Sequence, residues 1–258
     1  MGGESLVDVG KRLESMVTRW SLVRVAHDAS TASASKARNE LVLRYADATK
    51  AYIHAIVRDA HRADEIAQNV VLRMLAGDFA GADPNRGRFR DLLKVAARNM
   101  VRSHWARENV RRAAALDSDS VASDDDPNDA EQWVASWRQN VLDLTWTSLN
   151  QFEQSQPKSC AFTILRLRAR FPDASSEELA QQLSEIVEEE ISAETFRQKL
   201  RRARMRFAEL LVDEVADGLE KPSADDLEEE LVALGLIEYV RKLLSAEWKD
   251  SWWPDSRR

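Results

Sequence analysis

SSEELAQQLSEIVEEEISAETFRQKLRRARMRFAELL, residues 175–211, is the stretch whose reading decides the fold. Ser176 followed by Glu177 and Glu178 reads as a helix start, because a hydroxyl satisfies free N–H groups and acids offset the positive helix end. EELAQQLSEIV then gives one short helix, and Ser192 caps a second, ISAETFRQKLRRARMRFAELLVDEVA. The second helix carries six bases and no acid over 197–206. A basic helix preceded by a scaffold helix is the arrangement that enters the DNA major groove with its first turns on base edges. Glu194, Thr195, Arg197, Gln198, Lys199, Arg201 and Arg202 would face DNA. Arginine reads guanine edges, glutamine reads adenine, and the remaining cations neutralise phosphates. A solvated surface helix has the same composition, so the pattern alone leaves both readings standing.

The rest of the chain fits an all-helical protein. Only 8 glycines and 6 prolines punctuate 258 residues, and no glycine lies between Gly87 and Gly218. That excludes a glycine-lined nucleotide cradle and disfavours many-turned β architectures. Cys160 is the single cysteine and the four histidines lack metal-ligand spacing, so neither a disulfide framework nor a zinc site is expected. No run approaches the roughly 20 apolar residues of a membrane span, and MGGESLVDVGKR lacks the apolar centre of a secretory signal. These features predict a cytoplasmic protein with no membrane partner.

The net charge of -7 argues against a nucleic-acid partner until it is mapped along the chain. Residues 1–115 sum to +7, whereas 116–131 hold seven acids and no base. Residues 213–230 hold nine acids against Lys221 alone. The acids therefore separate and trail two basic helices.

Upstream, apolar residues at three-to-four spacing predict helices over 35–59 and 61–75, the latter leaving Asp64, Glu65 and Gln68 exposed. GDFAGADPNRG, residues 77–87, is a loop. The helix from Phe89 to about Ala115 is expected to bury Phe89, Leu92, Leu93, Ala96 and Met100 and to expose Lys94, Arg98, Arg102 and Trp105 along one face. Cations beside an aromatic platform suit an unpaired strand, although Trp105 could equally pack on a neighbouring helix. ALDSDSVASDDDPNDAE reads as a flexible linker. Helices are then expected from about Trp133 to Pro157 and over 160–171, with one amphipathic helix in the tail. Asp125, Asp126 and Asp129 spell the D-D-x-x-D of helical terpenoid synthases, but Pro127 and flanking serines break the helix that metal binding would need. No nucleophile set accompanies them, so no enzymatic activity and no cofactor are expected.

Together these pieces resemble a bacterial RNA polymerase sigma factor of the extracytoplasmic-function (ECF) group. SAETFRQKLRRARMRFAELL resembles the group's S-x-G-T-V-K-S-R-L-x-R-A-R-x-x-L-x-x-L, and EELAQQL its E-I-A-x-x-L scaffold helix. RADEIAQNVVLRML is similar to the polymerase-binding D-A-E-D-L-x-Q-E-V-F-L-x-L, and GRFRDLLKVAARNMVRSHWAR to the promoter-melting helix. Arg62 stands where that polymerase-binding motif starts with aspartate, Leu92 replaces a tryptophan, and SEIVEEE replaces a turn that commonly holds a glycine.

The resemblance implies a two-domain all-α chain: a region 2-like promoter-melting domain (1–115), an acidic linker (116–131), a region 4-like helix-turn-helix domain (132–218) and a C-terminal helical extension (219–258). It implies that Asp64, Glu65 and Gln68 dock on core RNA polymerase. Phe79 and Arg86 would pocket a flipped base of the promoter's −10 element, with Arg88, Arg90, Lys94, Arg98, Asn99, Arg102 and Trp105 holding the melted strand. Ser192, Glu194, Thr195, Arg197, Gln198, Lys199, Arg201 and Arg202 would read the −35 duplex. The acidic linker would thread the polymerase's RNA channel, and an anti-sigma factor or regulatory kinase would be a further partner. A dimeric helix-turn-helix repressor, with Trp248, Trp252 and Trp253 in its seam, and a helical adaptor that binds acidic partners are the alternatives.

Overall fold

The computed structural model describes residues 22–23, 25–26, 32–57, 59–79, 89–114, 129–219 and 223–244. Every regular element among them is helical. The chain divides into two compact units, Met1–Asn140 with Asp217–Lys221, and Val141–Ala216 with Pro222–Arg258. No helix of the described residues is long and apolar enough to cross a membrane.

The first unit is built on α1 (Ala32–Ile56), α2 (Ala60–Ala76) and α3 (Phe89–Ala114), which pack on one another. Asp59 caps α2 by accepting from the Arg62 amide at 3.1 Å. Gly77 ends the helix at φ 91°, a left-handed conformation that glycine adopts without a Cβ clash. On α3, Phe89, Leu93, Ala97 and Val101 recur every four residues and are buried, which is the stripe a packed helix needs. The long helix α4 (Asp129–Ser155) contributes residues 129–140 to this unit. Its Trp137 stacks on Tyr45 (5.3 Å) and its Trp133 meets Tyr52 edge-on (5.0 Å). Tyr45 and Tyr52 lie seven residues apart on one face of α1, so two turns of each helix interlock through aromatic rings.

The expected linker 116–131 and second domain 132–218 divide the chain elsewhere. Residues 129–140 are helical and belong to the first unit, as does the segment 217–221 beyond the basic helix. Arg44 ties these pieces together: its carbonyl accepts from Asn140 at 2.9 Å and its guanidinium reaches Asp217 at 3.0 Å. Residues 115–128, the body of the expected linker, lie outside the described residues, as do Trp248, Trp252 and Trp253.

The second unit packs the remainder of α4, α5 (Ala161–Arg170), α6 (Ser176–Val187) and α7 (Ala193–Ala216) around Ile164, Leu179, Leu183 and Phe196, all fully buried. A single 3-10 turn, Pro157–Ser159, joins α4 to α5. Glu153 of α4 accepts from the amide (3.0 Å) and hydroxyl (2.6 Å) of Thr163, satisfying the free N-terminal end of α5. The tail differs from the single helix expected of it. It forms α8 (Ala224–Ala233) and α9 (Ile237–Leu243), broken at Gly235, whose φ of 67° lets the Gly235 amide bond Val232 and the Leu236 amide bond Leu231. Both helices pack on α7 and bury Leu227, Leu231, Leu234, Leu236, Ile237 and Val240.

Candidate nucleic-acid interface

In the second unit the cap of α6 lies one residue earlier than the sequence suggests. Ser175 is the cap of α6: its hydroxyl accepts from the Glu178 amide (3.2 Å) while the Glu178 carboxylate accepts from the Ser175 amide (2.7 Å). The Ser175 amide, with its side chain adding to the effect, holds the Glu178 carboxyl below the usual carboxylate range. At the other end of α6, Glu188 adopts φ 55° and ψ 31°, a left-handed conformation that turns the chain. The Ser184 hydroxyl closes the turn by accepting from the Ile191 amide at 2.9 Å. Ser192 then caps α7 through the Thr195 amide at 3.1 Å.

Phe196, Leu200, Ala203 and Phe207 fix the inward face of α7. That placement leaves Glu194, Thr195, Arg197, Gln198, Arg201, Arg202 and Arg204 exposed on the rest of the helix. Within this set Glu194 ties down two of the candidate base readers, accepting from Arg197 (2.7 Å) and Gln198 (3.2 Å). The Arg197 guanidinium lowers the Glu194 carboxyl below its ordinary range, with Gln198 adding to the effect. Exposed pairs of this kind are screened by solvent and weak, so a guanine edge or a phosphate can displace them. Lys199 is half-buried and donates to the Lys158 carbonyl at 2.6 Å, which holds it to the 3-10 turn instead of the outward face. Glu188, Glu189 and Glu190 are exposed beside the start of α7.

In the first unit, Asp64, Glu65 and Gln68 are exposed on α2 as expected. Asp64 bridges Lys50 (3.0 Å) and His54 (2.9 Å) of α1, and both partners lower its carboxyl below the usual range. The α3 face differs from the expectation of a fully solvated cationic row. Lys94 and Arg98 are only 21 % and 29 % exposed, and both reach the Asp129 carboxylate, at 3.2 and 3.3 Å. The reason is that Asp129, the first residue of α4, reaches this part of α3. Asp129 is 6 % exposed and also accepts a hydrogen bond from the Tyr52 hydroxyl. Burial, reinforced by this hydrogen bond and the neighbouring negative charge, raises the Tyr52 phenol well above its ordinary range.

Further along α3, Arg102 and Asn99 are exposed, and the Asn99 carbonyl accepts from Ser103. Trp105 is half-buried, and the Arg62 guanidinium lies 5.9 Å from its ring centre while bonding Glu108 at 2.9 Å. Arg90 is 11 % exposed beside Asp91. Phe79 is buried edge-on against Phe89 at 6.0 Å, so it is a core residue where a base-capturing ring was expected. Arg86 and Arg88, with the rest of 80–88, lie outside the described residues.

Asp129, Tyr52 and Arg62 were missed as parts of this face. Asp129 precedes Trp133 and Trp137 by four and eight residues, a helical spacing hidden by the Ser/Asp-rich run before it. Arg62 stood out only as a base where an acid was expected. Asp125 and Asp126 of the D-D-x-x-D pattern lie outside the described residues, while Asp129 belongs to the Tyr52, Lys94 and Arg98 cluster. Comparison with protein-family models, with curated proteins and with solved structures finds no match to this chain.

Proposed function

We propose that this chain is a transcription initiation factor of the ECF sigma type, which joins core RNA polymerase and directs it to promoters. The observation that carries the reading is α7: a capped helix behind a tight turn, with one face in a core and Arg197, Gln198, Arg201, Arg202 and Arg204 on the outside. Such a helix presents cations and amide groups of the kind that contact phosphates and base edges. Support from the first unit is the exposed set Asp64, Glu65 and Gln68 on α2, two acids and an amide, together with Arg102 and Asn99 on α3. The motif order along the chain supplies the family assignment. In this reading the first unit binds core polymerase and the melted −10 strand, the second reads the −35 duplex, and the protein performs no catalysis of its own.

Run-off transcription with core polymerase on the chain's own upstream DNA tests the proposal. Stimulation over core alone is expected, and Arg201→Ala with Arg202→Ala should reduce it at least tenfold, since each base-edge contact is worth about 1–3 kcal/mol. No stimulation by the unsubstituted protein refutes the proposal. A tight palindromic footprint without polymerase would instead identify a repressor, and absence of salt-sensitive DNA binding in every condition an adaptor.

A further inference from the structure

The cluster of Tyr52, Lys94, Arg98 and Asp129 joins three helices of the first unit around one buried carboxylate. Its chemistry is that of an anion site: an ammonium, a guanidinium and a phenol converge on two oxygens. The anion in place is internal, and it comes from the first residue of α4. Lys94 and Arg98 lie on the same helix as exposed Arg102, at spacings of eight and four residues, so the three cations form one row. A backbone phosphate bound at Arg102 would continue along that row into the position of the Asp129 carboxylate.

We propose that Asp129 is an internal phosphate mimic that closes this end of a single-strand binding row, and that strand binding proceeds by displacing it. The inference rests on the reading of the first unit as a single-strand binder, and concerns how that binder is kept closed. Displacement has a structural cost confined to identifiable residues. When the carboxylate leaves, the first turn of α4 loses its hold on α3, and the contacts of Trp133 with Tyr52 and of Trp137 with Tyr45 loosen. Closure therefore couples strand affinity to the docking of residues 129–140. It also places the control of that affinity immediately after the acidic segment, where a partner pulling on the chain would act.

The test uses the full chain and a labelled oligothymidine of 20 nucleotides, with binding followed by fluorescence anisotropy over a salt series. Asp129→Asn should bind about tenfold tighter than the unsubstituted protein. Its salt dependence should steepen by about 1.4 in log–log slope, the release expected for two more neutralised phosphates on a single strand. Adding Lys94→Gln and Arg98→Gln to Asp129→Asn should abolish the gain. In the unsubstituted protein, strand binding should accelerate amide hydrogen exchange over 129–140.

Tyr52→Phe, which removes one hydrogen bond and leaves both ion pairs, should give a two- to threefold gain and carries the test if Asp129→Asn does not fold. Unchanged affinity in folded Asp129→Asn, alongside weakened binding by Arg102→Ala, overturns the mimic and leaves the single-strand reading intact. Unchanged affinity in Tyr52→Phe likewise overturns it when Asp129→Asn is unfolded. No binding of the oligonucleotide by any variant overturns the single-strand reading and the mimic together.

Discussion

Asp129 and Tyr52 show how much one carboxylate decides in the first unit. The phenol is raised chiefly by burial, then by its hydrogen bond to Asp129 and that group's charge, with Arg98 opposing. A phenol that holds its proton more tightly when folded contributes stability that is fully present below its unfolded value of about 10. That contribution is lost as pH rises beyond it toward the folded value. The thermal midpoint should therefore fall more steeply above about pH 10 in the unsubstituted protein than in Tyr52→Phe, with the phenolate absorbance of Tyr52 emerging only on unfolding. Parallel slopes for the two proteins would contradict this account. At neutral pH Tyr52→Phe should cost about 1.5–3 kcal/mol, the worth of a hydrogen bond to a charged group. Glu188 is a second decisive residue. A left-handed non-glycine residue costs about 1–2 kcal/mol, of which glycine would return about 0.5–1 kcal/mol as lost freedom on folding. Glu188→Gly should then stabilise the second unit by up to about 1 kcal/mol in urea titration, and a destabilised variant would mean that the Glu188 side chain contributes more than its backbone costs.

At the scale of the element, the helices were largely legible because their signals are local. The 3.6-residue apolar spacing marked α1, α2 and α3, while cap residues marked α6 and α7, Ser192 at its own helix start. Ser175→Ala should cost about 1 kcal/mol by removing the hydroxyl that accepts from the Glu178 amide, measurable as a lower urea midpoint. An unchanged midpoint would show that solvent replaces that bond. What the sequence concealed was which side of α3 is covered. Lys94 and Arg98 meet a partner that lies more than thirty residues further along the chain, and no periodicity within α3 can report a cover supplied by α4. Phe79 is a related case: in a glycine-rich segment it looked like a free ring, but Phe89 offers it an aromatic neighbour. Lys199 was read as one of a row of cations, and the carbonyl of Lys158 in the preceding turn takes it out of that row.

For the whole molecule, the all-helical class and the absence of glycine-dependent architecture followed from composition, whereas the partition into units did not. The tail illustrates the consequence. Its sequence offered one amphipathic helix, whereas two short helices complete the hydrophobic packing around α7, where Tyr239 meets Phe207 edge-on at 5.9 Å. Leu231→Ala should accordingly destabilise the second unit by about 2–5 kcal/mol, the range for a fully buried leucine. Calorimetry checks this, and a loss below about 1 kcal/mol would show that the tail is not an integral part of that core. Arg241 is held by Glu228 and Glu238, at 2.7 and 3.2 Å, so part of the tail's acid is paired within the tail.

The bond between Arg44 and Asp217 bears on how the chain is made. The first unit is assembled from two separated pieces of sequence, and the second of them follows α7. During synthesis from the N-terminus, at about 5–20 residues per second, α1 to α3 emerge and pack while Arg44 still lacks its Asp217 partner. Some ten to thirty seconds pass before that partner is added, at the quoted elongation rates. The basic helix is thus already synthesised when the unit that precedes it in sequence receives its last strut.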